Sequence, residues 1–446
     1  MTPASSNIWC ANTSRMGIWT SAACLLLQLV LAVNPLLGAQ EVSSPPASAF
    51  SVETASRAYL DRLPADKKAR SDAYFEGGYW LQLWQFLYGA GLAVLLLHTG
   101  LSVRMRNLAS RLVRFKPLQT AAYAIQYLIL TALLSFPLTV YSDFFREHKY
   151  GLANQNFGGW FGDWSKGLLV NVILGSLLMM ALFGIVRKLP RTWHIWGAIV
   201  TCGFLVLTIA IAPVFIAPLF NTYTSLTDPK VQDPILRIAR ANGIKVDKVF
   251  QMDASKQTTR ISANVSGFLG TMRITLNDNL LRRCSLPEIE AVMAHEIGHY
   301  VLNHVFKMVV FLSVIFVIGF FWLRSGGTWL LQRFGGRWGI NGIGDVAVTP
   351  LVVLLFTSYL FVLTPITNTL IRMQEMEADR FGLNAARQPD GFAEASLKLS
   401  EYRKMEPGPV EEWIFYDHPS GATRIRTAMR WKAENMGLET TIASPK

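Results

Sequence analysis

Residues 285–300 read SLPEIEAVMAHEIGHY, and the rest of the chain can be interpreted outward from this stretch. Ser285, Pro287 and Glu288 follow the pattern of a helix start, with an N-cap residue, a proline in the first turn and a capping-box glutamate. The apolar-rich run that follows extends the pattern through Tyr300. The stretch is therefore predicted to be one capped helix.

Two histidines lie four residues apart on this helix, as His295 and His299 of an HExxH sequence. Side chains at that spacing project from one face, so both imidazoles can bind a single Zn²⁺ while Glu296 reaches a water molecule on the ion. Zinc lowers the pKa of such a water and polarises a carbonyl, and the carboxylate can pass the proton to a leaving amine. The pattern predicts hydrolysis of peptide bonds, with one zinc ion per chain and Glu296 as the catalytic base.

A catalytic zinc needs a third protein ligand and an open fourth position. The best candidate is Glu375, in the acidic sequence RMQEMEAD at residues 372–379. Asp379 follows one helical turn later on the same face, where it can accept a hydrogen bond from the far nitrogen of a ligating histidine. Glu377 is predicted to point elsewhere, as a solvated helix charge.

Other histidines carry weaker signals. His304 lies nine residues after His295, which is about 180° away on a helical wheel and predicts a solvent or interface position. His98 and His194 lie near the ends of apolar blocks, where amphipathic rings commonly occupy the membrane interface, and no role is predicted for them. His418, judged from spacing alone, is interpreted as a loop histidine.

The composition indicates a membrane protein. Hydrophobic residues make up 51% of the 446 residues and charged residues 16%, and the apolar residues come in blocks long enough to span a bilayer. The net charge is +12, and basic residues flank the apolar blocks. That placement favours membrane lipid and topology, and no nucleic-acid partner is predicted.

An apolar run at 17–38 is either a secretory signal or a retained first span, and both interpretations stay open. A polar segment from about 40 to 78 is predicted to be a helical loop. Six further spans are predicted at about 80–100, 118–141, 167–186, 195–219, 308–323 and 346–371. Pro213 and Pro218 in the fourth and Pro350 and Pro365 in the sixth predict kinked or interrupted helices. Such breaks favour helices that line a shared cavity.

Alternating residues between the fourth and fifth of these spans predict a small sheet or hairpin, at Val246–Phe250, Ile261–Phe268 and Arg273–Leu276. The loops after about residues 100, 186 and 323 fall on one side of the membrane if all seven segments are retained. They hold eleven Lys or Arg residues against one acid, Asp345. By the positive-inside rule that side is cytoplasmic, so the catalytic region is predicted to face away from the cytoplasm.

With these motifs in place, the chain resembles the integral-membrane CAAX prenyl proteases and their bacterial relatives from about residue 80 to 430. These are zinc enzymes that remove C-terminal residues of prenylated proteins. The resemblance is carried by EHKYGLANQN at 147–156, NVSG at 264–267 followed by RITL at 273–276, HEIGH at 295–299, EMEADRF at 375–381, and His418-Pro419 with Arg424.

The resemblance implies a fold of about seven transmembrane helices that enclose a water-filled chamber, capped by a zincin-like α+β metalloprotease domain with a small sheet. It implies zinc on His295, His299 and Glu375, with Arg424 supporting the glutamate. It also implies that His418 stabilises the tetrahedral intermediate, which reverses its interpretation as a plain loop residue. Asn264 and Gly267 are expected beside the substrate, held by strand addition at an edge strand.

The expected organisation is a signal peptide or first transmembrane helix at 1–40, an N-terminal membrane domain at 41–219, a metallopeptidase domain with two transmembrane helices at 220–435, and a flexible tail at 436–446. The expected protein is a multi-pass zinc endopeptidase of a bacterial inner membrane, or of the endoplasmic reticulum in a eukaryote. Its expected partners are a peptide or protein substrate, possibly lipidated, and membrane lipid. Two alternatives stay open: a quality-control membrane protease, and a transporter-like protein with a structural zinc.

Overall fold

The structure is a computed structural model that describes residues 50–266 and 272–437. The predicted signal or first span at 1–40 and the end of the predicted tail, from residue 438, lie outside the described residues. The first half of the described chain is helical, with α1 at Val52–Leu60, α2 at Ala65–His98, α3 at Leu101–Leu112, α4 at Lys116–Val140, α5 at Phe157–Lys188 and α6 at Trp193–Ile211.

The second half combines helices with one small sheet. Its helices are α7 at Pro229–Ala241, α8 at Asp278–Arg283, α9 at Leu286–Val301, α10 at His304–Trp338, α11 at Thr349–Val362, α12 at Thr364–Ala386, α13 at Pro389–Lys398, α14 at Pro409–Phe415 and α15 at Gly421–Asn435. Its strands are β1 at Tyr223–Ser225, β2 at Val249–Met252, β3 at Ala263–Ser266 and β4 at Arg273–Asn277.

Five helices of the described chain are long and apolar enough to cross a membrane, at Ala65–His98, Lys116–Lys149, Phe157–Lys188, Trp193–Leu219 and His304–Trp338. A sixth span forms if Val346–Val362 and Thr364–Ala386, which meet at a bend of 54°, are taken together. Each of the six predicted spans lies in one of these segments. The predicted seventh, at 17–38, is outside the described residues.

Two predicted boundaries were wrong because helices continue past the apolar blocks. The segment at about 40–78, predicted to be a helical loop, is helical in α1 and again from Ala65, so the long helix α2 begins well before the predicted span at 80. Polar residues of the first turns of α2 contact the second half of the chain. Lys68 pairs with Glu406 at 2.6 Å, for example. The fifth span also does not end at 323. It continues to Trp338, so three arginines assigned to the following loop lie on the helix.

Three of the four prolines interrupt helices as predicted. Pro213 and Pro218 lie in a π-turn and a 3-10 turn that follow α6. Pro365 follows directly after the break between α11 and α12. Pro350 is the exception, because it occupies the first turn of α11, where a proline fits without bending the helix.

The spans contact one another in a closed order, α2 to α4, α5, α6, α10, α11 and back to α2. In each of the five long spans no more than 17% of the most apolar window is buried by other described residues. The exposed residues of these windows face either the membrane or the inside of the ring. This arrangement fits the helical chamber that the resemblance implies.

Where ring helices touch, glycine sets their distance. A Cβ added to Gly197 on α6 would lie 2.5 Å from Cε1 of Phe320 on α10. Phe320 is itself buried, with its ring centroid 6.1 Å from that of Trp193. The two helices therefore meet at this point only because position 197 has no side chain.

The sheet has the order β1-β2-β4-β3. Strand β2 is parallel to β4, and the two outer strands are antiparallel to their neighbours. The predicted hairpin of β3 and β4 is confirmed, β2 lies three residues later than its predicted start, and β1 was not predicted. One edge of the sheet is formed by β3, which places Asn264 opposite Thr275 on the edge strand.

The two ends of α2 have different surroundings. Its first turns contact the second half of the chain, since Ser71 donates a hydrogen bond to the carbonyl of Arg403 (3.0 Å). Its last turn packs Leu96 and Leu97 into a cluster with Val348 near the start of α11. The loops rich in Lys and Arg therefore lie at the opposite end of α2 from the predicted catalytic region.

Gly197→Val should lower the free energy of unfolding by about 1–3 kcal/mol, because the new side chain overlaps the packed Phe320 ring. Thermal unfolding of the full chain in detergent measures the change. Gly203→Val is the matched control, since a Cβ at Gly203 on the same helix meets nothing within 4 Å. Equal unfolding temperatures for the two variants would contradict the packing described here.

Candidate metal centre

Helix α9 is fixed at its start by the predicted capping box. The Glu288 carboxylate accepts a hydrogen bond from the backbone N–H of Ser285 (2.8 Å) and from Nζ of Lys398 (2.6 Å). The helix runs as predicted, from Leu286 to Val301. His295, Glu296 and His299 thus lie on a helix whose first turn is tied to α13.

Helices α9 and α12 approach each other closely because each has a glycine at the contact, Gly298 on α9 and Gly382 on α12. A Cβ on Gly382 would lie 2.9 Å from the backbone nitrogen of His295, and a Cβ on Gly298 would lie 2.9 Å from the ring of Phe381. The overlap at Gly382 is with backbone, so turning a side chain could not relieve it. The close approach brings Glu375 on α12 to the two histidines.

The three predicted ligands converge. Nε2 of His295 lies 3.1 Å from Nε2 of His299, and the two carboxylate oxygens of Glu375 lie 3.3 Å from these two nitrogens, one each. All three ligand atoms lie within 4.8 Å of one another. Ligands about 2.05 Å from a tetrahedral ion are separated by about 3.3 Å. The donor set and its spacing therefore fit one small divalent ion.

Buried charges hold the first histidine and the glutamate. Oδ1 of Asp379 lies 2.8 Å from Nδ1 of His295, which leaves Nε2 as the ring nitrogen that faces the site. Arg424 on α15 donates to Asp379 from Nε (2.9 Å) and Nη2 (2.6 Å), and Nη2 lies 3.3 Å from Glu375. Asp379 and Arg424 thus lie where the sequence and the resemblance placed them.

His304 does not lie where the helical wheel predicted. It is buried, and its Nδ1 lies 2.8 Å from Nδ1 of His299. The prediction was wrong because α9 ends at Val301 and Asn303 adopts φ 56°, so the chain turns before His304. Asparagine tolerates this left-handed conformation, and Asn303 was the signal that the wheel could not be extended.

The buried position of His304 creates a chain of hydrogen bonds from His299 to Glu377. If His299 offers Nε2 to a metal, its Nδ1–H donates to His304, whose Nε2–H donates to Glu377 (3.1 Å). Lys307 donates to the same carboxylate (2.6 Å). Glu377 is half-exposed, as predicted, but it is part of this chain of hydrogen bonds and not a free surface charge.

His418 approaches the site from the segment between α14 and α15. Its Nδ1 donates to Asp417 (2.7 Å) and its Nε2 lies 3.4 Å from Glu375. The group of mutually close donor atoms in the described chain comprises His295, His299 and Glu375 without His418. A metal held by those three would therefore keep a fourth position open on this side.

Glu296 and the metal donors line one cavity of about 350 Å³. Burial raises the pKa of the Glu296 carboxyl, and the neighbouring imidazoles oppose that rise. The start of the edge strand, at Ser262 and Ala263, forms part of the wall. Asn264 is exposed on the same strand, one residue beyond the lining. Gly267 lies outside the described residues.

Comparisons with known proteins agree with this architecture. Residues 225–432 match peptidase family M48, and residues 52–222 match the N-terminal region of CAAX prenyl proteases, described as five membrane helices. The chain is a membrane metallopeptidase of the CAAX prenyl protease type. The metallopeptidase is thus a multi-pass membrane protein that acts on a peptide or protein, and the match to the membrane region does not favour the transporter-like alternative.

The metallopeptidase is similar to relatives from distant organisms. It is 29% identical to CAAX prenyl protease 1 of Saccharomyces cerevisiae over 343 residues, which cover 72% of this chain and 75% of the yeast protein. It is 26% identical to an uncharacterized metalloprotease of Bacillus subtilis over 340 residues, 76% of this chain and 79% of the other. The crystal structure of S. mikatae Ste24p shares its fold, with a TM-score of 0.71 at 23% identity over 85% of this chain and 94% of that one.

His304→Ala should weaken metal binding by the metallopeptidase about 10- to 100-fold, because it removes the group that orients the His299 ring. Competition with a chelator on the purified full chain measures the affinity. His98→Ala is the control, since His98 lies against Trp338 near the basic loops. Unchanged affinity in the His304 variant would show that the contact does not support the site.

Proposed function

We propose that the metallopeptidase holds one Zn²⁺ on His295, His299 and Glu375 and cleaves peptide bonds with Glu296 as the general base. The observation that carries this is the spacing of 3.1 to 3.3 Å between the two Nε2 atoms and between each of them and one oxygen of Glu375, which is about the edge length of a tetrahedron; in the described residues this group has no fourth protein donor. Two histidines and a glutamate are a common donor set for catalytic zinc, whereas a structural site is closed by four protein ligands.

When bound, zinc supplies a Lewis acid that lowers the pKa of water and polarises the peptide carbonyl. The chain's own residues do the rest. Glu296 accepts the proton of the attacking water at a carboxylate oxygen and returns it to the nitrogen of the leaving amine. Asp379 and His304, each 2.8 Å from the Nδ1 atom of one ligating histidine, would leave both Nε2 atoms available to hold the ion. Arg424 offsets the charge of Glu375 and Asp379 in this buried site.

His418 is proposed to stabilise the oxygen of the carbonyl under attack. Burial lowers the pKa of the His418 imidazole, and Asp417, which holds the ring through Nδ1, opposes that shift by favouring the imidazolium form. In that form Nε2–H, which faces the same cavity as Glu296, can donate to the developing oxyanion.

The substrate is proposed to be an extended peptide that adds to the open edge of β3, beside Asn264 and Gly267. In the described residues β3 is an edge strand with no neighbour on its outer side, which supports this, and Ser262 and Ala263 line the cavity. Yeast CAAX prenyl protease 1 is named for prenylated substrates. The proposal includes a lipidated protein as substrate, because the catalytic part is joined directly to a closed ring of apolar spans.

Glu296→Gln should lower kcat/KM for a peptide substrate by about 10²- to 10⁴-fold while metal affinity stays unchanged, because the amide cannot accept the proton. Cleavage assays together with metal titration measure both effects. Glu290→Gln is the matched control, since Glu290 lies on the same helix and contacts Gln388 instead of the site. Wild-type cleavage by the Glu296 variant would refute the proposed function.

We also propose that the catalytic side faces away from the cytoplasm, in a bacterial inner membrane or its equivalent. The support is the excess of Lys and Arg in the loops at the far end of α2. Membrane lipid would surround the many exposed apolar side chains of the spans, such as Leu133, Leu169 and Phe215.

Labelling single cysteines in a variant without the native cysteines tests the orientation. In spheroplasts of a bacterial host, a membrane-impermeant maleimide should label Arg240→Cys on α7 and leave Arg111→Cys on α3 unlabelled. After lysis both should react, which controls for the accessibility of each thiol. The reverse pattern in intact spheroplasts would place the active site on the cytoplasmic side.

A further inference from the structure

Arg403 lies in the segment between α13 and α14 and lines the same cavity as Glu296 and His418. Its side chain is half-buried. Neither the sequence motifs nor the proposed chemistry assigns it a role. A guanidinium stays charged at any physiological pH, so burying it next to a catalytic centre requires an explanation.

The other buried or half-buried arginines around the site are paired. Arg424 contacts Asp379, Arg260 donates to Glu147 (2.7 Å), and Arg372 donates to the carbonyls of Glu412 and Tyr416. In the described part of the chain, the guanidinium of Arg403 has no ion pair, hydrogen bond or aromatic ring contact. Its partner is therefore expected to come from outside the chain.

The backbone around Arg403 is held by contacts to neighbouring elements, and the Arg403 side chain lines the cavity. The carbonyl of Arg403 accepts the hydrogen bond of the buried Ser71 on α2 (3.0 Å). The next residue, Lys404, donates to Glu76 (2.6 Å) and to Glu411 (3.0 Å). These contacts hold the segment against α2 and leave Arg403 directed to the site.

Arg403 also borders a second cavity, of about 450 Å³. Two more arginines line it, Arg146 and Arg260, and the one acid in its lining is Asp417, which already accepts from His418. Glu147 compensates the charge of Arg260. The electrostatic potential in this second cavity is therefore positive, which favours binding of an anionic group there.

The cavity that Arg403 shares with the metal donors also has apolar lining. Its lining side chains include Leu280, Val292, Phe392 and Leu399. An apolar side chain next to the scissile bond would fill this part of the cavity, with the chain continuing toward the guanidinium. Carboxylate is the peptide group that a guanidinium binds best, through two parallel hydrogen bonds.

We propose that Arg403 binds a carboxylate of the peptide substrate and so determines which peptides are cleaved. The carboxylate is either the C-terminal one or that of an acidic side chain, and the guanidinium would bind both by the same contacts. This inference rests on the proposed peptidase function, since it describes how the same site selects its substrate.

Three peptides that differ only in their last group test the proposal. Each has an apolar residue after the scissile bond, and they end in a free carboxylate, in an amide, or in an amide preceded by glutamate. The enzymes are the zinc-loaded full chain, Arg403→Gln and Arg403→Lys. Arg430→Gln is the control, because Arg430 is exposed on α15 and lines neither cavity.

The wild type should cleave the free acid with a kcat/KM about 10- to 100-fold above that of the amide, the range for a charged hydrogen bond. Arg403→Gln should lose this preference and cleave the amide as fast as the wild type does, which also shows that its active site is intact. Arg403→Lys should keep part of the preference, and Arg430→Gln all of it. If the wild type cleaves the glutamate-containing amide as fast as the free acid, a side-chain carboxylate binds Arg403 as well as the C-terminal one.

Equal rates of the wild type on the free acid and both amides would overturn the proposal, as would an undiminished preference in Arg403→Gln. The wild-type comparison does not depend on the folding of any variant. Either result would leave the proposed peptidase intact, because cleavage would still require Glu296. Loss of the Glu296 dependence would instead refute the peptidase mechanism itself.

Discussion

The site depends on the close approach of α9 and α12. Two glycines allow it: Gly382 faces the backbone of His295, and Gly298 faces Phe381. The histidine spacing along α9 places two donors on one face, but the third donor is on a helix about 80 residues later in the chain. Only a contact without intervening Cβ atoms brings Glu375 within 3.3 Å of both rings. If a methyl group at either glycine pushed the two helices apart, Glu375 would move away from His295 and His299.

That contact places several charged groups in a buried region, which would be unfavourable without compensation. Asp379 lies between His295 and Arg424, and Arg424 also reaches Glu375, so each carboxylate has a cationic or hydrogen-bonding partner. Such an arrangement stabilises the site only as a unit, because removing one member leaves an uncompensated buried charge. On the other side Nδ1 of His304 lies 2.8 Å from Nδ1 of His299, and Nε2 of His304 lies 3.1 Å from the Glu377 carboxylate at the surface.

The membrane ring and the catalytic part are connected through the motif at 147–156. Its Ala153 pairs with Thr258 as an isolated bridge, and Asn154 donates to the carbonyl of Ser255 (2.9 Å). The segment that these contacts hold leads directly into β3. The edge strand beside the metal centre is therefore positioned by a loop of the membrane half. This explains how a segment far from the metal in sequence can carry part of the family resemblance without supplying a catalytic group.

The sequence by itself determined the elements that depend on local order. The capped helix with its two histidines, the six apolar spans, the hairpin and the candidate third ligand all follow from periodicity and spacing within short windows. The tertiary structure decided what depends on chain reversals and distant contacts. His304 was misplaced because one left-handed residue ends the helix before it, and the polar start of α2 was misassigned because its partners lie more than 300 residues away. Arg403 carries no local signal at all. Its significance comes from the absence of a partner in the described fold, and a partner's absence can be seen only once every neighbouring segment is in place.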